Sequence, residues 1–541
     1  MKSLRKTFIL ALSLFVCTSE KIFCSQLEFE TAGFGSSVLK SKVQAEWNED
    51  FFTKHDSSTY NHKLARIACI FSELSYVDVK DSGQSNELLW AYEKIGMQAQ
   101  DIDFHYDVDY TDSAWGWNQC AFSIGSKKIQ TEKGSEHLVF IVMRGTPLNA
   151  DEWISNINVN DLTKKASSLH QGFSVASEQV YNNLIEYLYR HKIDREKVYL
   201  LITGHSRGAA VANILSAKLA DSNLIEKNKI FTYTFASPNV TIEEVGGKYD
   251  FIFNIINAED IVPTVPFNNS QQWQYKKFGK SLVLVNAWNC DPTKYDTEYL
   301  PKMNAYFYKF MGRNYKPFRT GPFIPVQVTN ILTNLNSSVE YYYNGTYALH
   351  AKFTDLLKKI FPDTKDLLPD EKTEGSGSVP LSIIKWLNNR TNGLADYATA
   401  ACNDMHACES YLSWMLALEE KELFSTLGYK QIVIKGHEDI SVMSSDKEIL
   451  AKARDGMILY SSNHLPVAAC SLPGKIVIGL PANQSFTLTI GNESLAPSSA
   501  LVLVDKYGPD GVRESSEKEI RISPRQGKSY FLKGGKDNYW Q

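Results

Sequence analysis

Beyond its first 16 residues this 541-residue chain has no apolar run as long as the roughly 20 residues that a bilayer-spanning helix requires. A helical membrane span is therefore not expected once the N-terminal segment is removed. Strong charge of either sign is also lacking. The formal net charge is −4, and no basic stripe stands out, which argues against nucleic acid as a partner. Cysteine is sparse, at eight residues, and no CxxC or Cys/His cluster has zinc-site spacing. A structural zinc site is thus excluded, and no metal or cofactor is expected. No internal repeat is present. Apolar residues make up 43% of the chain, enough to bury a sizeable core, so wholesale disorder is excluded too.

The first 25 residues differ from the rest. Lys2, Arg5 and Lys6 precede the apolar run Phe8–Val16, and small residues follow at Cys17–Ser19 and Cys24–Ser25. This three-part pattern predicts a secretory signal over 1–25 and a secreted, periplasmic or cell-surface protein. Six cysteines remain: Cys69, Cys120, Cys290, Cys402, Cys408 and Cys470. Export permits disulfides, and the short spacing of Cys402 and Cys408 makes them the best candidate pair, with free buried thiols as the alternative.

Residues 50–98 carry helical spacing, as in "YNHKLARIACIFSELSY". "DIDFHYDVDY" (101–110) alternates acids and His105 with apolar residues, which predicts a half-buried strand rather than a cation site. "CAFSIG" (120–125) and "HLVFIVMRGT" (137–146) read as adjacent strands, and 171–191 reads as a helix. "VYLLITG" (198–204), a helix from Ser206, "IFTYTFASP" (230–238) and "FIFNIINAED" (251–260) follow in order. Alternating apolar strands and helices with short connections predict an α/β unit with a largely parallel sheet. Aromatic-rich sequence from about 270 to 400, with Gly/Ser-rich "EKTEGSGSVP" at 371–380, reads as a helical, cap-like insertion. From 428 onward β-type runs and turn signals predict a small all-β, sandwich-like module to 541. The main α/β unit then spans 26–427.

The most informative stretch is "LLITGHSRGAA", from residue 200. A serine between Gly204 and Gly208, where a strand becomes a helix, has the form of a nucleophile elbow. The serine backbone is strained there, and its neighbours two residues away must be small. The N-terminus of the following helix supplies N–H groups and a positive dipole end for a developing oxyanion. A serine hydroxyl needs a base and an orienting carboxylate. In the α/β-hydrolase order the acid follows the serine, and Asp260 ends the run "FIFNIINAED", with Glu259 as its immediate competitor. For the base, His406 precedes a helix-like apolar run, His350 sits in the amphipathic "ALHAKFTDLLKKI", and His437 and His464 fall in the β region.

Several pieces together resemble a family. "VFIVMRGT", "DEW" (151–153), "HQGF" (170–173), "ITGHSRGAA" and "NAEDIVPTVP" (257–266) are similar, in order and spacing, to the class 3 lipases. These are α/β-hydrolases that include fungal triacylglycerol lipases and bacterial relatives. "DMHACESYLSWM" (404–415) resembles the family's closing histidine segment with its trailing tyrosine. The resemblance implies Ser206 as nucleophile, Asp260 as orienting acid and His406 as base. It implies oxyanion donors at Thr146 and the Arg207 N–H, with Arg144, Asp151 and Trp153 fixing the loop that carries Thr146. His205 would pack behind the serine. The family reaches its histidine sooner, whereas 145 residues separate Asp260 from His406 here. The β region resembles accessory modules of some bacterial lipases, which points to a bacterial secreted member. A lipid ester hydrolase of the triacylglycerol lipase type is implied. Phospholipase A1 or another carboxylesterase, and a catalytically silent binding protein on the same fold, are the alternatives.

Overall fold

The computed structural model describes residues 25–31, 41–76, 86–108, 119–145, 168–243, 246–264, 275–317, 404–425, 428–436, 439–461, 467–472, 475–482, 484–507 and 513–532. The expected signal segment therefore lies outside the described residues, except for Ser25. So do Thr146, Asp151, Trp153, His350, Cys402, His437, His464 and the greater part of the 270–400 stretch. Among the described residues no helix is long and apolar enough to cross a membrane.

After an antiparallel pair, β1 (Ser25–Thr31) and β2 (Ser41–Trp47), a seven-stranded sheet forms the centre, ordered β3 (Ile102–His105), β4 (Phe122–Thr131), β5 (Gly134–Met143), β6 (Val198–His205), β7 (Ile230–Phe235), β8 (Ile252–Ile256) and β9 (Lys280–Val283). β3, β4 and β5 pair antiparallel, and β5 through β9 pair parallel. Both faces are covered, which is why the middle strands read as unbroken apolar runs rather than alternating ones. Phe140, Val142, Leu201, Phe231 and Tyr233 face the helix α1 (His62–Leu74) within one core. Val139, Ile141, Leu200, Ile202 and Ile230 share the opposite core with α3 (Gln171–Arg190) and α4 (Arg207–Asp221). α2 (Asn86–Lys94) lies between α1 and β3 in the chain. This is the α/β-hydrolase arrangement of a mostly parallel sheet flanked by helices.

Three local expectations are corrected. Among the described residues of the 101–110 stretch, 101–108, the strand takes in four, because β3 is an edge strand and Asp101 already belongs to a 3-10 turn. The acids of this stretch meet basic side chains from the end of α3: Asp103 pairs with Arg190, and Asp101 lies 3.6 Å from the His191 ring. The stretch read as an insertion begins with a sheet element, since β9 closes the central sheet beside β8. After β9 the chain does turn helical at α5 (Leu300–Met311). Finally, Cys408 is a free buried thiol rather than half of a local bridge.

α6 (Cys408–Ala417) packs against α1 and α5. His62, the first residue of α1, ties the two ends together: one ring nitrogen meets the Leu418 carbonyl at 2.9 Å and the other the Tyr60 hydroxyl at 3.0 Å. Burial, aided by the Arg66 charge, pushes the His62 pKa from 6.5 down to about 4. The unfolded chain thus binds a proton near pH 6.5 that the folded chain refuses until about pH 4, so His62 makes stability fall as pH drops through that window. Comparing urea unfolding at pH 7.5 and 4.5, the wild type should lose about 2–3 kcal/mol more than His62→Gln. Equal losses in the two proteins would refute this role.

From Tyr429 the chain builds two five-stranded antiparallel sheets: one ordered β14 (Ala468–Leu472), β15 (Lys475–Pro481), β10 (Tyr429–Lys435), β17 (Ser498–Tyr507) and β18 (Arg513–Ile522), the other β13 (Met457–Ser461), β12 (Ile449–Arg454), β11 (Asp439–Ser444), β16 (Phe486–Asn492) and β19 (Gln526–Leu532). Ile432, Ile434, Ile478 and Val502 of the first share one core with Ile440, Val442, Leu488 and Ile490 of the second. β18 is charge-rich and lies at a sheet edge, where charged side chains discourage pairing with other chains.

Candidate active site

β6 ends at His205, and α4 begins at Arg207, so Ser206 is the single residue in which the chain turns. Its φ of 56° and ψ of −128° lie in a region costly for a residue with a side chain, of order 1–3 kcal/mol. The turn is held on both sides: the Ser206 N–H donates to the Phe235 carbonyl at 2.9 Å, and the Ala210 N–H donates to the Ser206 carbonyl at 3.2 Å. The serine is 3% exposed and sits at the carboxyl edge of the parallel strands.

Asp260 lies four residues beyond β8, at the same edge. Its own N–H donates to the Asn257 carbonyl at 3.1 Å, and its Oδ1 accepts from the Val262 N–H at 2.9 Å. The carboxylate is thus fixed by the backbone of its own loop. Lys277 anchors that loop, donating to the Pro263 carbonyl at 2.6 Å and to Asn239 at 2.8 Å. Burial pushes Lys277 down to about 7, and the Asp260 charge opposes that shift.

His406 stands two residues before α6. Its Nε2 is 2.8 Å from Ser206 Oγ, and its Nδ1 is 2.9 Å from Asp260 Oδ2. Because the carboxylate can only accept, Nδ1 carries the proton and Nε2 is left to accept from the serine. Of the two competing carboxyls, Asp260 makes this contact; the Glu259 N–H instead donates to Asn257 Oδ1 at 3.1 Å. The imidazole is only 14% exposed, and the carboxylate not at all. The three side chains therefore form one continuous hydrogen-bonded line shielded from water.

The hydrogen bonds of several supporting residues were not legible in the sequence, although His205 was expected to pack behind the serine and a tyrosine to trail the histidine segment. Tyr411, one turn into α6, donates to Asp260 Oδ2 at 2.8 Å and accepts from the Asn257 N–H at 3.1 Å. Asn257 also donates to the Met405 carbonyl at 3.1 Å, which fixes the backbone just before His406. His205 holds the next carbonyl: its Nε2 lies 2.8 Å from the His406 backbone oxygen and its Nδ1 2.7 Å from the Tyr76 hydroxyl. A carbonyl can only accept, so Nε2 bears the proton and Nδ1 accepts from Tyr76. Burial first, and the neighbouring His406 ring second, hold the His205 pKa well below 6.5, so it stays neutral. Its position in the elbow was the only sequence signal for this role.

The Arg207 N–H opens α4 directly after the serine, while its guanidinium donates to the Gln119 carbonyl at 2.8 and 3.2 Å. Arg144 lies over the Tyr106 ring, 4.9 Å from its centre. His170 is stacked on Phe173 at 4.2 Å, and burial pushes its pKa down to about 4. Among the described residues no group of three or more His, Cys, Asp or Glu side chains is arranged to hold a metal ion.

Residues 140–270 match the family model described as lipase (class 3). The chain is similar to secreted mono- and diacylglycerol lipase 1 of Fusarium solani, at 26% identity over 149 residues, or 26% of this chain and 42% of that protein. It is also similar to the chloroplastic phospholipase A1-Igamma3 of Arabidopsis thaliana, at 31% identity over 134 residues, or 21% of this chain and 24% of that protein. The chain thus spans less than half the length of either relative. Among solved structures it aligns with the native Rhizomucor miehei lipase propeptide complex at 16% identity and a TM-score of 0.30, covering 41% of this chain and 68% of that one. The part of the chain that matches the class 3 lipase model, residues 140–270, is the part that carries the serine turn and the acid-bearing loop.

Proposed function

We propose that this chain is an exported serine hydrolase that cleaves carboxylic esters of lipids, of the triacylglycerol lipase type. The observation that carries the reading is the hydrogen-bonded line from Ser206 through His406 to Asp260. In the proposed reaction Ser206 Oγ attacks the ester carbonyl as His406 Nε2 takes its proton. His406 then protonates the departing alcohol, leaving an acyl-serine. Water attacks that ester with His406 again as base, which releases the fatty acid and restores the serine. Asp260, braced by Tyr411, stabilises the imidazolium formed in each half.

The oxyanion is assigned to the Arg207 N–H at the head of α4, with Thr146 as second donor; each such donor is typically worth about 3–4 kcal/mol. The two C-terminal sheets are assigned to an accessory module, and residues 1–25 to an export signal. A second reading, phospholipase A1, draws on the similarity to a protein of that name. The triad chemistry is common to both, and the acyl and head-group pockets would decide between them.

The test is hydrolysis of p-nitrophenyl esters from short to long acyl chains, followed by emulsified triacylglycerol and phosphatidylcholine. Preference for long acyl chains and triacylglycerol is expected. Dominant release of the sn-1 fatty acid from phosphatidylcholine would favour the phospholipase. A folded protein that cleaves no ester would sink both.

A further inference from the structure

α5 ends on Gly312, whose left-handed φ of 65° and N–H bond to the Tyr308 carbonyl at 2.9 Å turn the chain out of the helix. Two side chains of the segment that follows reach the residues just ahead of His406. Both arms of the Arg313 guanidinium donate to the Asp404 carboxylate, one of them at 2.7 Å, across 91 positions of sequence. The Tyr315 hydroxyl donates to Met405 Sδ at 2.8 Å and accepts from the Asn257 amide at 3.3 Å. Phe307 of α5 seats both residues. Its ring centre lies 5.4 Å from that of Tyr315, edge to face, and 5.6 Å from the Arg313 guanidinium carbon. The Tyr315 N–H donates to Asn304 of the same helix at 2.7 Å.

We propose that Arg313 and Tyr315 are positioning residues for His406, acting through the two residues that precede it. The proposal rests on the hydrolase reading for what His406 does. Asp404 is 4% exposed, whereas the Arg313 side chain is 46% exposed, so the fork joins a buried carboxylate to a cation at the surface. A bidentate pair of this kind fixes orientation as well as distance. The Asp404 carbonyl in turn accepts from the Ser410 hydroxyl of α6. Met405 is fully buried, held at its sulfur by Tyr315 and at its carbonyl by Asn257.

The backbone that enters His406 is thus fixed at both preceding residues. The ring depends on this, because it must meet Ser206 at 2.8 Å and Asp260 at 2.9 Å together. Without the guanidinium, the Asp404 carboxylate is left buried and lacking its cation, which is costly. Swinging Asp404 toward water relieves that cost, and it draws Met405 and His406 away from the serine and the aspartate.

The full-length chain should be compared with Arg313→Met, Tyr315→Phe, Asp404→Asn and the Arg313→Met/Asp404→Asn double variant. Lys302→Met, which breaks only the exposed pair with Glu298 at the start of α5, serves as control. Ester kinetics, with competent sites counted by a serine-reactive fluorophosphonate taken to completion, give kcat per site. Arg313→Met and Asp404→Asn are each expected to lower that kcat about 10- to 100-fold at unchanged KM, with a smaller loss in Tyr315→Phe. The double variant should be no slower than either single one, since the two residues act as a unit. Lys302→Met should match the wild type. Fewer labelled sites with kcat per site unchanged, or losses that multiply in the double variant, would overturn the proposal. A second readout needs no turnover: the downfield NMR resonance of the His406 Nδ1 proton should move upfield or vanish in Arg313→Met. An unchanged resonance would also overturn the positioning role. Failure of the wild type to cleave any ester would instead count against the hydrolase reading, and the resonance would still test the positioning.

Discussion

Alanine at Ser206 is expected to lower kcat for ester hydrolysis by about 10⁴- to 10⁶-fold while leaving the fold intact, because only the hydroxyl is removed from a turn fixed by backbone hydrogen bonds. His406→Ala should fall into the same range, since the serine then keeps its proton. Members of a unit that acts together are not additive, so the Ser206→Ala/His406→Ala double variant should be no slower than either single one. His350→Ala, the competing base in the sequence, should retain full activity. Steady-state kinetics on one p-nitrophenyl ester decide the matter. Substantial activity in His406→Ala, or its loss in His350→Ala, would move the base out of the line seen at the site.

Gly208→Ala is expected to act on folding rather than chemistry. A Cβ there would fall inside the contact shell of the Met143 carbonyl oxygen and 2.8 Å from the Met143 carbonyl carbon. Both are backbone atoms of the central sheet and have no rotamer to yield. Gly204 has the matching constraint, since its added Cβ would lie 2.6 Å from the Gly208 carbonyl carbon. α4 would have to retreat from β5, and forced overpacking of this kind costs about 3 kcal/mol or more. The urea midpoint of Gly208→Ala should drop accordingly. Alanine at Gly246, where an added Cβ meets nothing within 4 Å, tests the positive φ of 52° without the crowding and should cost less. An unchanged midpoint in Gly208→Ala would show that the elbow tolerates a methyl group.

The contrast between these two glycines explains what local sequence can carry. Spacing within "ITGHSRGAA" reports contacts between residues that are also neighbours in the chain, such as the approach of Gly204 to Gly208. The same holds for the apolar runs of β5 to β8, whose burial on both faces is visible as missing alternation. The 101–110 stretch shows the limit of such reading: its alternation was genuine, yet an edge position and a 3-10 turn left only four residues in the ladder. β9 was missed because a four-residue strand leaves too short a pattern inside aromatic-rich sequence. In the C-terminal sheets, β18 carries charge rather than an apolar run, because its edge position favours charged over apolar side chains.

By itself the sequence determined the α/β alternation, the serine turn, the C-terminal β runs and a short set of partners for Ser206, because each rests on residues a few positions apart. Only the tertiary structure decided which histidine and which carboxyl reach the serine, and that Tyr411, Asn257 and His205 hold them there. These contacts close loops of 146 to 201 residues. No local pattern records such pairs, because what brings them together is the burial of the sheet's two faces and not the chain between them.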